Sequence, residues 1–181
     1  NPKLMDEIKA FLGRDGLILG VCNGFQALVK SGLLPYGEIG NVHENSPTLT
    51  FNKIGRHISQ IVKTKIVTNN SPWLSSFEIG ETFDIPVSHG EGRFYASDGV
   101  LKQLFENGQI ATQYVDFDLE ATNEFRFNPN GSSFAIEGII SPDGKIFGKM
   151  GHSERYSKDT FKNIDGNKNQ NLILNGIKYF K

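Results

Sequence analysis

The hydrophobic pattern of the chain changes most sharply at residues 17–24. Residues 17–21 are apolar without interruption, which is typical of a short strand buried on both faces of a parallel sheet. Residues 25–30 then have the pattern of a helix, which Ser31 and Gly32 would end. Cys22 lies between the two, with a glycine two residues away on each side. The pattern therefore predicts a strand, a tight turn that carries the single cysteine, and a helix.

Helical spacing of apolar residues predicts three more helices, at residues 3–12, 98–106 and 170–180. Asn1 would cap the first of them, with Pro2 in its first turn, and Asp98 would cap the second. The last helix is expected to direct four apolar residues inward: Leu172, Ile173, Ile177 and Phe180.

Strand-forming segments occupy much of the remaining chain: residues 58–68, 83–87, 110–115, 133–140 and 145–150. The last two form a hairpin across a turn at residues 142–144. Residues 33–52 are rich in glycine and proline and are expected to run over the surface. Residues 88–94 predict a glycine-opened loop, and Asn-Pro-Asn-Gly at residues 128–131 predicts a turn.

Composition narrows the possible classes of protein. At 181 residues the chain is long enough for one well-buried domain. With a net charge of -1, the chain lacks the excess of basic residues found in proteins that bind nucleic acid or anionic membranes. Its apolar runs are shorter than the roughly 20 residues of a membrane span. A single cysteine excludes an internal disulfide framework and favours a reducing, cytoplasmic location. Because the first residue is not Met, we expect a piece of a longer polypeptide.

Gly-Val-Cys-Asn-Gly at residues 20–24 is the thiol counterpart of the Gly-x-Ser-x-Gly nucleophile elbow. In such a turn, a side chain at Gly20 or Gly24 would crowd the backbone. The N-terminus of the following helix would favour the Cys22 thiolate, and the Asn23 N–H would lie where an oxyanion develops. The alternative is a buried cysteine in an ordinary strand-turn-helix unit.

His152 and Glu154 supply what such a nucleophile needs. In an extended segment, positions i and i+2 face the same way, so the imidazole could face the sulfur of Cys22 while the carboxylate orients the ring. Without the elbow, the same pair would be interpreted as solvated surface residues. His89, with Glu91 two residues later, competes for the role of base, and spacing alone does not exclude it.

Other chemistries have weaker support. His43 and His57 lack a comparable orienting neighbour, and the chain contains neither a Cys-x-x-Cys pair nor a His-Glu-x-x-His helix, so a metal site is not expected. The order of Cys22 and His152 also occurs in papain-like proteases, but the Cys-Gly-Ser-Cys-Trp type of signature is missing.

Five segments, in this order, carry a resemblance to a known family: Gly-Val-Cys-Asn-Gly-Phe-Gln at 20–26, Val-Ser-His-Gly-Glu-Gly-Arg-Phe at 87–94, Gln-Tyr-Val-Asp at 113–116, Asn-Pro-Asn-Gly-Ser at 128–132 and Gly-His-Ser-Glu-Arg at 151–155. They resemble class I, triad-type glutamine amidotransferases, and among these the glutaminase domains of phosphoribosylformylglycinamidine synthases. The resemblance implies an α/β, three-layer, flavodoxin-like fold.

The resemblance also implies roles for particular residues. Cys22 would be the nucleophile that forms a glutamyl thioester, His152 the general acid and base, and Glu154 its orienting partner. Gln26 would line the glutamine pocket. Many members have Pro-His-Pro-Glu-Arg where this chain has Gly-His-Ser-Glu-Arg at residues 151–155, which loosens the backbone and keeps both catalytic side chains. His89 and Arg93 would belong to a structural or interdomain loop.

By the same resemblance, the substrate is glutamine and the partner is a synthetase domain of the same longer chain. That domain would use ATP and magnesium, and no cofactor is expected in this one. In the family, further strand and helix units precede the elbow strand, and their glycine-rich loop supplies a second oxyanion donor. We therefore expect residues 1–181 to be a single, N-terminally incomplete amidotransferase domain. The alternatives are a non-catalytic docking module and a cysteine hydrolase that acts on another amide.

Overall fold

The computed structural model describes residues 2–181. The helices of this part are α1 Pro2–Gly13, α2 Asn23–Lys30, α3 Leu33–Tyr36, α4 Asp98–Glu106 and α5 Leu172–Tyr179. The strands are β1 Ile18–Val21, β2 Thr48–Thr50, β3 Ile58–Ile66, β4 Thr82–His89, β5 Arg93–Tyr95, β6 Ile110–Tyr114, β7 Ile136–Ile140 and β8 Ile146–Lys149. Short 3₁₀ turns lie at Pro72–Leu74, Ser133–Ala135 and Ser153–Arg155. The predicted N-cap at Asn1 lies outside the described residues.

The main sheet has six strands in the order β1-β8-β7-β6-β3-β4. Its β1 and β8 are parallel, and its other neighbours are antiparallel. The predicted hairpin between β7 and β8 is confirmed. In a second, two-stranded sheet β2 pairs with β5. The parallel pair matters most for the site, because both of its strands end at the same edge.

Apolar side chains cover both faces of the main sheet, since neighbouring residues of its inner strands belong to different clusters. Ile139 and Ile146 pack with α2, α3 and α4, whereas Ile140 and Phe147 pack with Leu172 of α5 and with the Pro72–Leu74 turn. Every residue of β6 and β7 is buried. The sheet therefore lies between two outer layers.

The expectation that β1 is buried on both faces is wrong in part. Ile18 and Leu19 pack against opposite clusters, as expected, but three of the four strand residues are only half-buried. The cause is position, because β1 is an edge strand of the described sheet and pairs with β8 alone.

Residues 33–52 are a surface excursion only in part, since residues 40–45 are exposed and other residues of the segment are buried. Leu33, Leu34 and Leu49 are each less than 4% exposed and belong to the larger core cluster. The predicted loop at residues 88–94 is shorter than expected, because β4 includes Ser88 and His89 and β5 begins at Arg93. Only residues 90–92 remain as the connection.

Two predictions about helices are also wrong in detail. Asp98 is the first residue of α4 and Ser97 occupies the N-cap position, without a side-chain capping hydrogen bond. In α5 only Leu172 of the four expected inward residues is buried, and the others are about half exposed or more. The buried face of α5 is formed by Asn175, which bonds to Trp73 and Ser76, and by Gly176, which lies against the Trp73 ring. Among residues 2–181, no helix has the length and apolar character needed to cross a membrane.

Candidate active site

Cys22 occupies the strained turn that the sequence predicts. It lies between β1 and α2 with φ 53° and ψ -107°, an uncommon conformation for a residue with a side chain. At Gly20 a Cβ atom would lie 2.7 Å from the backbone carbon of Gly24, so this glycine is required by the turn. The same expectation for Gly24 is wrong, because a Cβ atom there would meet nothing within 4 Å.

The parallel pairing of β1 and β8 places Cys22 and His152, which are far apart in the sequence, at the same edge of the sheet. Val21 is paired with Lys149, and the Cys22 N–H donates to the Lys149 carbonyl at 2.8 Å. Three residues after Lys149 comes His152, whose N–H donates to the Pro86 carbonyl of β4 at 2.8 Å. The thiol and the imidazole therefore emerge at the same edge of the sheet.

His152 and Glu154 form the expected pair by a different local route. The two residues are not in an extended segment, because the Ser153–Arg155 3₁₀ turn folds Glu154 back toward the imidazole. The Nδ1 of His152 lies 2.6 Å from Glu154 Oε1. A carboxylate accepts, so Nδ1 is the donor and Nε2 carries the lone pair of the neutral ring. This Nε2 is buried and has no hydrogen-bond partner among the described residues.

The electrostatics of Cys22 differ from the sequence expectation. Burial is the largest influence and raises the pKa of the thiol, whereas the Asn23 N–H and Arg155 lower it and Glu154 raises it further. The helix N-terminus therefore does not favour the thiolate overall, because loss of solvent outweighs it. The Cys22 Sγ lies 3.8 Å from the Ser88 carbonyl, as a weak S–H donor would. A thiol in this state needs a base to become nucleophilic.

Five of the seven predicted site residues line one cavity of about 700 Å³. Its lining includes Cys22, Asn23, Gln26, His57, Ser88, His89, Glu91, His152 and Arg155. Glu154 does not line the cavity, but it contacts His152 and Arg155, which do. Arg93 does not line it, and instead faces a separate cavity of about 910 Å³ beside α4, rimmed by exposed aromatic residues. The sequence analysis did not single out Ser88 or Arg155, although both lie inside the quoted segments, and it set His57 aside because that residue lacks an orienting neighbour.

Gln26 has a structural task besides lining the cavity. Its Nε2 donates to the Glu91 carbonyl, which ties α2 to the 90–92 connection. With the amide nitrogen engaged, its Oε1 is the atom available to a ligand.

His89 lies closer to the chemistry than a structural loop residue would. The residue is 4% exposed, and its Nδ1 is 3.1 Å from Asn52 Oδ1. Burial lowers the pKa of His89 to about 4, and the neighbouring His57 and His152 add to this shift. The ring is therefore neutral near pH 7.

A buried ion pair behind the site supports the segment that carries His152. Lys149 and Glu137 are fully buried, with Nζ and Oε1 3.7 Å apart. Glu137 accepts the Gly151 N–H at 2.6 Å, and Lys149 donates to Ser153 Oγ at 2.8 Å. These contacts hold the residues on both sides of His152. Sequence analysis did not find this pair, because nothing local in the sequence marks either residue as buried.

Within residues 2–181, no group of three or more His, Cys, Asp or Glu side chains is placed to hold a metal ion.

Comparison with known proteins gives consistent matches. A family model described as "CobB/CobQ-like glutamine amidotransferase domain" matches residues 1–181. The phosphoribosylformylglycinamidine synthase subunit PurQ of Gloeobacter violaceus is 34% identical over 163 residues, covering 90% of this chain and 65% of that protein. The subunit of the same name from Salinibacter ruber is 33% identical, with coverage of 96% and 68%. The chain thus spans about two thirds of the length of these relatives.

A solved structure also matches. The structure of PurLQS from Thermotoga maritima includes a chain that is 29% identical, with a TM-score of 0.70 and coverage of 99% of this chain and 69% of that chain. This match confirms the expected three-layer α/β fold class.

Proposed function

The chain belongs to the CobB/CobQ-like glutamine amidotransferase domain family, and from this premise we propose that it hydrolyses glutamine through a cysteinyl thioester and supplies the ammonia to a synthetase. One observation carries the proposal. The same cavity is lined by Cys22, in a strained elbow, and by His152, whose Nδ1 is held by Glu154 and whose Nε2 is buried without a partner in the described chain.

In the first half of the reaction, His152 Nε2 takes the proton of the Cys22 thiol, and Sγ attacks the carboxamide carbon of glutamine. The carbonyl oxygen becomes negative, and the Asn23 N–H, already beside the sulfur, stabilises it. The intermediate collapses as the C–N bond breaks and His152 returns the proton to the leaving nitrogen. The products are ammonia and a γ-glutamyl thioester.

In the second half, water replaces ammonia. His152 Nε2 takes a proton from the water, and the hydroxide oxygen attacks the thioester carbon. The C–S bond breaks, the sulfur recovers the proton, and glutamate leaves. Glu154 keeps the ring in one tautomer and stabilises the cation formed in each half.

The names of the relatives support a narrower function. We infer that the acceptor reaction is the ATP-dependent amidation of formylglycinamide ribonucleotide, with ATP and magnesium bound by the synthetase. The word "subunit" in those names favours a synthetase on a separate chain, whereas the sequence resemblance implied one in the same polypeptide. That the chain is an incomplete domain, with a second oxyanion donor upstream, stays a prediction.

Replacement of the nucleophile in the enzyme assembled with its synthetase tests the proposal. Cys22→Ala should abolish glutamine-dependent synthesis and leave ammonia-dependent synthesis intact, because the synthetase needs only the amine. Lys102→Ala is a matched control, since this exposed side chain on α4 makes only a surface ion pair with Glu106.

Other outcomes separate the alternatives. If Cys22→Ala retained full glutamine-dependent synthesis, the chain would be a docking module. If both forms of synthesis failed, Cys22 would be structural. Iodoacetamide labelling of Cys22 that glutamine slows, and other amides do not, would exclude a hydrolase for another amide.

A further inference from the structure

We propose that His89 Nε2 accepts an N–H hydrogen bond from the carboxamide nitrogen of the substrate, and that His89 thereby helps the site select an amide. The inference rests on the proposed function, because it concerns the glutamine that Cys22 attacks. It assigns to His89 a contact with substrate, where the sequence resemblance implied only a structural or interdomain residue.

The tautomer of His89 follows from the bonds of Asn52. The Nδ2 of Asn52 donates to two carbonyls, of Arg56 at 3.0 Å and of His89 itself at 2.8 Å. Its Oδ1 is therefore the acceptor, and it receives the Gly92 N–H at 3.1 Å as well as the imidazole at 3.1 Å. An amide oxygen cannot donate, so His89 Nδ1 carries the hydrogen.

The other ring nitrogen is consequently an acceptor. With hydrogen on Nδ1 and no charge near pH 7, Nε2 presents a lone pair. This atom is buried and finds no hydrogen-bond donor in residues 2–181. His89 is one of the residues that line the cavity. Because buried polar atoms are nearly always paired in native proteins, its orphaned acceptor points to a donor on the ligand.

The ring is also held firmly in place. Asn52 forms hydrogen bonds with both the Nδ1 and the backbone carbonyl of His89. The ring also packs against Gly92, where an added Cβ atom would lie 2.4 Å from the imidazole. Asn52 itself is only 2% exposed. The acceptor is therefore pre-organised, and rotation of the ring would break the bond to Asn52.

Two groups of glutamine carry N–H donors, the α-ammonium and the carboxamide. The carboxamide fits His89 better. Its carbon must sit at Cys22 Sγ, which lies 3.8 Å from the carbonyl of Ser88, the residue before His89. The α-ammonium is a cation and pairs better with a carboxylate, and Glu91 is among the residues that line the same cavity.

The hydrogen bond changes no atom or electron count in the reaction. His152 still supplies the proton that converts the leaving nitrogen to ammonia. His89 accepts a hydrogen bond from an N–H group that the nitrogen already carries. This bond turns the nitrogen lone pair toward the proton from His152.

A pair of substrates tests the inference in the enzyme assembled with its synthetase. Glutamine and the γ-methyl ester of glutamate have the same acyl group, but the leaving group of the ester has no N–H. His89→Leu should lower kcat/KM for glutamine by about 10- to 100-fold, the scale for losing one specific buried hydrogen bond. The ester should change by less than about threefold. Release of glutamate measures both reactions.

Two further variants complete the design. His89→Gln replaces the imidazole with a side chain that has an acceptor oxygen, so it should recover part of the preference for glutamine. His43→Leu removes an exposed histidine that does not line the cavity, and it should change neither rate. The iodoacetamide rate at Cys22 reports whether each variant keeps the folded site.

The results separate the two claims. If His89→Leu lowered kcat/KM for both substrates by the same factor, or left the rate with glutamine unchanged, the role of His89 would be overturned. Either result would leave the glutaminase function intact. A wild-type enzyme that hydrolyses neither substrate would overturn the proposed function, and the role of His89 with it.

Discussion

His89 and His152 start from the same local sequence and end in different states. Each begins a His-x-Glu triplet, and each lines the same cavity. His89 is the last residue of β4, and His152 comes three residues after the end of β8. Both have a buried Nε2 without a partner in the described part of the chain. They differ at Nδ1, where His152 meets the carboxylate of Glu154 and His89 meets the amide oxygen of Asn52.

The neighbour at Nδ1 decides what each ring can do. A carboxylate stabilises an imidazolium, so His152 can take up a proton and return it. An amide oxygen fixes the tautomer without supplying charge, and burial then keeps His89 neutral. The Glu91 carboxylate, two residues after His89, bonds to neither ring nitrogen, because one is held by Asn52 and the other is unpaired. We therefore expect a base at one position and a fixed acceptor at the other.

The largest effects are expected when each of the two histidines is replaced by alanine. His152→Ala should lower glutaminase kcat by about 10²–10⁴-fold, the usual contribution of a general acid and base. His89→Ala should cost less, because the thiol keeps its base. Single-turnover formation of the thioester measures both variants. Near-normal turnover in His152→Ala, with complete loss in His89→Ala, would reverse the roles.

A smaller effect on kcat is expected when the carboxylate beside His152 is replaced by an amide, the group that lies beside His89. Glu154→Gln leaves the size of the side chain nearly unchanged and removes its charge, so the imidazolium loses its stabilising partner. We expect kcat to fall by about 10²-fold, at the low end of the range for acid and base catalysis, because Glu154 is about half exposed. Ammonia-dependent synthesis is the control. An unchanged kcat would mean that the charge of Glu154 does not stabilise the imidazolium.

The neutral state of His89 should be visible as a dependence of stability on pH. Its folded pKa of about 4 lies below the usual value of 6.5, so the unfolded chain binds more protons between these values. The contribution of this group to the free energy of unfolding is full above about pH 6.5 and is lost as the pH falls toward 4.

The size of this loss is about 3 kcal/mol. His89→Gln should lack it, so urea unfolding of wild type and variant should show a difference that shrinks between pH 7 and pH 4.5. The variant also serves to subtract the carboxylates that titrate in the same range. A difference that stays constant over this range would mean that the pKa of His89 is not lowered in the folded protein.

Much of the candidate site could be predicted because its signals are local. The elbow at residues 20–24 combines an apolar strand, a required Gly20 and a helix start, all within a few residues. The hairpin of β7 and β8 likewise depends on strand-forming residues around one turn. Local spacing was also sufficient to pair His152 with Glu154, although the 3₁₀ turn that joins them was not foreseen.

Other properties required the folded chain. Asn52 is 37 residues away from the histidine it orients, and Lys149 and Glu137 become an ion pair only because β7 and β8 are buried together. The raised pKa of Cys22 also depends on burial, which outweighs the helix N-terminus that the sequence made visible. Short-range spacing determines which groups are present and how the backbone turns, whereas long-range packing sets solvent access and the partner of each polar atom. For this chain, the sequence alone predicted a candidate nucleophile and its base, and the tertiary structure decided which histidine has a carboxylate partner and which stays neutral.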